Sequence, residues 1–344
     1  MRKGRGKTFK IGILIVLAAL LIYGIYHRKL VNYGLSQLKG QVRILTKTVA
    51  VEDALADSVL STEQKHKLRW VREVVKYAGD SLQLNTGDNY QTFYNSKGKP
   101  VLWVVNACEP FALEKYKWNF PFLGKLGYKG FFEADKAKKE RDALRKKGFD
   151  TDISEVTAWS TLGFFSDPVL SEMLKRDSAA LAELIIHELT HTTFYISGNA
   201  DLNENVATFI GRRGAEKFLV HRGLHTLHRR YIASLRDKDR VKAYLKKGAV
   251  RLDSAYSAFE TMTDLGSDQK EKVKREMINE IILGLNELPL HSPKNLTRER
   301  ASEFNNTFFT GYLMYNSMQD SLMREYEERF HFDLNVFIKH FEEM

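Results

Sequence analysis

Two histidines and a glutamate interrupt an otherwise apolar, helix-length segment, LAELIIHELTHTTFY at residues 181–195. Residues four apart on an α-helix share a face, so His187 and His191 point the same way and can reach one ion. Zinc takes imidazole nitrogens at about 2.0–2.1 Å, and His-Glu-x-x-His presents two of them without straining the helix. Glu188, one position on, stands where a general base belongs. The flanking Leu184, Ile185, Ile186 and Leu189 imply that the imidazoles are at least partly buried. Buried ring nitrogens need partners, and a shared ion supplies two at once; a pair of hydrogen-bonded core histidines is the plainer alternative.

A catalytic zinc site has three protein ligands and an open position, so a third ligand is expected downstream. Glu204 in LNENVATF follows after Gly198, which can turn the chain, and Ala207 on the same face leaves room for close approach. Asp201 is the second choice, and Glu204 as an ordinary first-turn acid favoured by the helix dipole is the competing reading. Ahead of the histidine helix, AWSTLGFF at 158–165 suits an edge strand that pairs with an extended peptide, with Ser160, Thr161, Leu162 and Gly163 as substrate-binding positions. It serves equally as an ordinary sheet strand. His221, His225 and His228 have helical spacing too, but no acid or cysteine accompanies them in sequence, and a solvated basic face is the better reading.

The elements that must position these groups are mixed. NYGLSQLKGQVRILTKTVAVEDALAD and TEQKHKLRWVREVVKYAGDSL have helical periodicity, with Thr62 as an N-cap. YQTFYN and VLWVVNACEPF are rich in aromatic and β-branched residues around the turn-former SKGKP, which predicts a hairpin. LGYKGFF reads as a strand, EADKAKKERDALRKKG as a charged helix, and DTDISEVTAWSTLGFF as extended. A helix starting near Ser178 carries the histidines, a second is capped by Asn199 or Asp201, and the rest is helical apart from the prolines of ELPLHSPKN. The expected class is α+β, a small sheet between mostly helical N- and C-terminal regions, with mixed structure over 85–222 and helices over 223–344.

Charge is concentrated at one end. Arg2, Lys3, Arg5, Lys7 and Lys10 precede IGILIVLAALLIYGIY, an uncharged apolar run at residues 11–26. With no zinc finger and no RNA-binding aromatic signature, the basic end argues for a membrane rather than nucleic acid. Residues 1–29 therefore read as a basic terminus plus a membrane anchor or signal segment, and 30–344 as the folded domain. The absence of a clear small-x-small cleavage site favours an anchor, and the positive flank places the domain outside the cytoplasmic membrane of a bacterial envelope; export after cleavage is the alternative. Cys108 is the single cysteine, so no internal disulfide can form.

Taken together the chain resembles the bacterial zinc aminopeptidases, gluzincin-like proteins found in exported or membrane-attached forms. The resemblance is carried by NYGLSQLKGQVRIL, WVVNACEPFALEKYKWNFPFLGKLGYKGFF, AWSTLGFFSDPVL, HELTHTTFYISGNADLNENVATFIGRRGAEKFL and NNTFFTGYLMY, most of the sequence. It implies a zincin-like core, one zinc ion held by His187, His191 and Glu204, and Glu188 as catalytic carboxylate. It also makes Tyr312 and Tyr315 of the last motif candidates for stabilising an oxyanion, against a core role for either. The chain departs from the pattern in lacking a lipoprotein cysteine and the glycine-flanked acidic motif that holds a substrate α-amine; Glu109 in NACEPF is the possible substitute. The expected function is a zinc-dependent peptidase acting on peptides or proteins, of aminopeptidase type. A membrane-anchored endopeptidase and a non-catalytic zinc-binding scaffold are the alternatives.

Overall fold

The computed structural model describes residues 26–120, 124–156, 166–262, 264–314 and 318–344. Most of the expected membrane segment, the pairing positions Ser160, Thr161, Leu162 and Gly163, and Tyr315 lie outside these residues. Among the described residues no helix is long and apolar enough to cross a membrane. The chain divides into two units, Met1–Lys47 and Thr48–Met344. Helix α1 (Arg28–Leu45) is the described element of the first.

The second unit is α+β. After β1 (Val49–Ala50) and α2 (Val51–Ala56) comes α3 (Thr62–Leu82), whose buried Leu68, Val71, Val75, Ala78 and Leu82 recur at three- and four-residue intervals. Its cap is Ser61 rather than the expected Thr62: Gln64 N donates to Ser61 Oγ at 3.2 Å, and Ser61 N donates to Gln64 Oε1 at 3.0 Å. A capping box needs Glu or Gln three residues on, and only the Ser61 register provides one.

The expected hairpin does not form. β2 (Thr92–Tyr94) pairs with β1 and, in parallel, with β8 (Val169–Leu170). β3 (Leu102–Cys108) instead lies at the centre of another sheet, antiparallel to β6 (Tyr128–Phe131) and β7 (Asp150–Val156). The SKGKP stretch does bend, with φ of 55° at Lys97 and 75° at Gly98. Pairing is decided by the longer partner: β3 matches seven residues of β7, which the three-residue β2 cannot offer. A short hairpin, β4 (Trp118–Phe120) with β5 (Gly124–Leu126), stands apart from both sheets.

Side chains alternate across a strand, so the register defines two faces. Helix α4 (Ala134–Arg145) packs on the sheet, burying its own Ala137 and Leu144. A row across one face joins Tyr128, Asn106 and Asp152, and the next joins Gly130, Val104 and Ser154. That face lines a cleft.

Helix α5 (Ser178–Thr193) starts where the sequence predicts, because the Asp177 carboxylate accepts from the amides of Ala179 and Ala180, each at 3.0 Å. Trp70 Nε1 of α3 donates to Ser178 O at its first turn. At its other end Asn85 O accepts from Thr192 Oγ1 and Asn85 N donates to Thr193 Oγ1. Gly198, at φ 77°, then reverses the chain into α6 (Ala200–His221); of the two predicted caps it is Asn199 that accepts from the Leu202 amide. The two helices lie so close that a methyl on Gly211 would meet Glu183 O at 2.8 Å and His187 Cβ at 3.1 Å. One on Gly214 would meet Ile186 Cγ2 at 2.9 Å.

The remainder is helical: α7 (His225–Thr261), α8 (Ser267–Leu283), α9 (Arg298–Ala301), α10 (Asn306–Met314), α11 (Gln319–Glu328) and α12 (Leu334–Glu342). Leu245, Ala249, Leu252 and Tyr256 of α7 share a core cluster with Ile278, Ile281 and Ile282 of α8 and Phe309 of α10. Asn306 fixes the start of α10, donating through Nδ2 to Glu109 O and Pro110 O and through its amide to Asp150.

Candidate metal site and its cleft

The α5–α6 pair brings three side chains to one point. His187 Nε2 and His191 Nε2 are 3.2 Å apart, Glu204 Oε2 is 3.5 Å from the first, and Glu204 Oε1 is 3.7 Å from the second. Ligand atoms at about 2.0–2.1 Å from a tetrahedral centre stand about 3.3–3.4 Å from one another; the two nitrogens are near that spacing, and with one Glu204 oxygen the three ligand atoms lie within 4.8 Å of one another, so the group could hold a metal ion. Among the described residues it is the one group of His, Cys, Asp and Glu that could hold a metal. Asp201 is not in it: Asp201 is exposed, and its charge acts on Lys115.

Two asparagines that the sequence does not announce hold Glu204 in place. Asn203 is buried, accepting from Ile196 N at 2.9 Å and donating to Ile196 O at 2.8 Å, which locks the preceding loop onto α6. Asn205 accepts from Met318 N at 3.1 Å, and its carbonyl accepts from Gln319 Nε2 at 2.9 Å, so the start of α11 grips the other side. Their signal is the Asn-Glu-Asn triplet itself, which brackets the carboxylate.

The electrostatics are those of a crowded, desolvated cluster. Burial, with His187 beside it, pushes His191 down to about 4. Burial also works against a charged His187, but the hydrogen bond and charge of Glu204, with Glu188, carry it above its ordinary value. Glu204 is correspondingly held low, its contacts with His187 and His191 outweighing burial. Burial lifts Glu188 to about 7, helped by Glu204 and Asp167 and opposed by His187 and Arg176. A carboxyl near that value is poised to exchange a proton at neutral pH.

The cluster opens on a cleft of about 910 Å³. The sheet face supplies Val104, Asn106, Tyr128, Asp152 and Ser154, and the opposite wall comes from Phe304 to Tyr312. Tyr128 keeps 43% of its surface exposed, yet atoms crowded around its phenol, with the charges of Glu204 and Tyr195, raise its pKa. It is a hydrogen-bond donor in the cleft lining, near enough to Glu204 to feel its charge, and nothing in LGYKGFF marks it. Tyr312 also lines the cleft, but its hydroxyl donates to Lys238 O at 3.2 Å. Glu109 does not line it: β3 runs on beyond the cleft and leaves this side chain exposed in the following loop. Of the other histidines, His228 faces Glu216 at 3.7 Å and the His221 ring lies tilted against Tyr77, centroids 5.1 Å apart. The three form no metal-binding group.

The α+β chain thus sets a His-Glu-x-x-His helix and a facing carboxylate on a cleft, an arrangement that could hold a metal ion. Residues 32–344, nearly the whole chain, match the family described as "Putative aminopeptidase", and the protein belongs to that family. No curated protein and no solved structure matches the chain.

Proposed function

We propose that the protein is a zinc-dependent aminopeptidase with a gluzincin-like site, His187, His191 and Glu204 holding one ion and Glu188 serving as base and acid. The observation that supports this most is the convergence of His187 Nε2, His191 Nε2 and the Glu204 carboxylate, whose ligand atoms all lie within 4.8 Å of one another. A hydrogen bond between the rings together with an ion pair of Glu204 with His187 is the plainer account of these contacts, and metal analysis separates the two. Zinc at such a site supplies a Lewis acid that polarises a carbonyl and makes water available for attack near neutral pH.

The chain's own groups perform the rest. Glu188 Oε accepts a proton from the attacking water and returns it to the departing amine, a role its elevated pKa suits. Tyr128 donates its phenolic proton as a hydrogen bond to the oxygen that gains charge. Walls contributed by Leu184, Phe304 and Phe308 give the cleft apolar surface that displaces water from the peptide.

The test is metal analysis of the purified protein combined with turnover of free-amine and N-blocked peptides. Glu188→Gln should retain zinc and lose about 10²–10⁴-fold in turnover, the range of general acid–base catalysis. His187→Ala should lose both metal and activity. Full activity in Glu188→Gln would eliminate the assigned base, and cleavage confined to blocked peptides would redirect the reading to an endopeptidase.

A further inference from the structure

Helix α1 leaves a stripe of large apolar side chains uncovered. Val31, Leu35, Leu38 and Val42 are between 38% and 59% exposed, at successive spacings of four, three and four residues. With Leu45 they span an arc of about 80° at 100° per residue. Arg28, Lys39 and Arg43 follow along one border of that arc.

The charge of the chain is partitioned to match. The first 47 residues contain ten Lys and Arg and no Asp or Glu, the first acid being Glu52. The whole chain has 53 basic and 43 acidic residues, so its entire formal charge of +10 resides there and the rest is balanced. We propose that α1 is a membrane-surface helix that lies on an anionic lipid bilayer, its Val31–Leu35–Leu38–Val42 stripe inserted at the headgroup boundary and its basic border on lipid phosphates. An apolar stripe bordered by cations with no acid nearby is the pattern of interfacial helices.

The same spacing would suit a coiled-coil seam with a second copy. Charge decides against it: a copy would bring identical basic borders together with no carboxylate to pair them, whereas a phosphate surface complements them. Little more than two heptads, interrupted by Gly34 and Gly40, is also short for a self-sufficient coiled coil. The proposal is independent of the peptidase reading.

The test uses the whole chain carrying an environment-sensitive fluorophore at Leu38→Cys. Cys108 stays unlabelled, because it is buried and burial pushes its thiol up to about 12. In phosphatidylglycerol-containing vesicles the emission should shift to the blue and be quenched several-fold by spin labels on the upper acyl chain. A fluorophore at Asn32→Cys, on the basic border, should be quenched less. Replacing Arg28, Lys39 and Arg43 by Gln should remove the preference for phosphatidylglycerol over phosphatidylcholine. An unshifted, unquenched Leu38 probe in both vesicle types overturns the proposal. So does disulfide pairing of Leu38→Cys between chains in vesicles without lipid quenching, which would assign the stripe to a second copy.

Discussion

Tyr128 stands on the sheet face that lines the cleft, close enough to Glu204 to feel its charge. Removing one hydrogen-bond donor to a developing oxyanion costs about 10²–10³ in kcat in other hydrolases. Tyr128→Phe keeps the ring and deletes the donor, so steady-state kinetics should show a fall of about that size with KM little changed. A loss confined to KM would make the phenol a binding group instead. The convergence of His187, His191 and Glu204 was legible because it follows from local spacing on two consecutive helices. Tyr128 was not, because only the pairing of β6 with β3 brings it to the cluster, and pairing is a tertiary fact. Tyr312, by contrast, was suggested by the resemblance of NNTFFTGYLMY and does line the cleft, yet its hydroxyl is engaged by Lys238 O.

At the scale of elements, the site depends on how near α6 can come to α5. Gly211 sits two turns beyond Glu204 and directly against His187, where an added methyl would press on backbone at 2.8 Å. A helix oxygen cannot yield as a flexible side chain would. Gly211→Ala should therefore force the helices apart, costing about 1–3 kcal/mol of stability by denaturant titration, as overpacking does. It should also weaken zinc binding by about 10–100-fold in competition with a chelator, because Glu204 moves with its helix. Unchanged affinity would show that the helices adjust around the ligands. Ala207 stands out in the sequence as the small residue of this face, whereas Gly211 and Gly214 do not, since glycine within a helix first reads as a weakness. The hairpin failed for a related reason: a turn signal says that the chain bends, not which strand it meets.

The whole molecule has its own electrostatic tie, centred one helical turn before His187. Glu183 of α5 is reached by Lys238 Nζ at 3.0 Å, by the Tyr231 hydroxyl at 3.0 Å and by Arg212 at 3.5 Å, joining three helices. Burial opposes its charge, but these cations hold its pKa below the ordinary 4.5. A carboxyl lowered on folding stabilises the native state above its unfolded pKa, and that contribution fades as pH falls through the lower folded value. Glu183→Gln should cost about 1–3 kcal/mol at neutral pH, because Tyr231 and Arg212 lose a charged partner while the part-exposed Lys238 is screened by water. Its urea midpoint should also decline less steeply than the native protein's below pH 4.5; an acid limb of unchanged slope would show that the tie is absent.

Both ends of α5 are pinned by α3 and Asn85, and Glu204 is gripped by asparagines on either side. The spacing of the histidine pair and the facing carboxylate is thereby tied to side chains that do not line the cleft, so an exchange at Trp70 or Asn203 would reach the cluster through its supports.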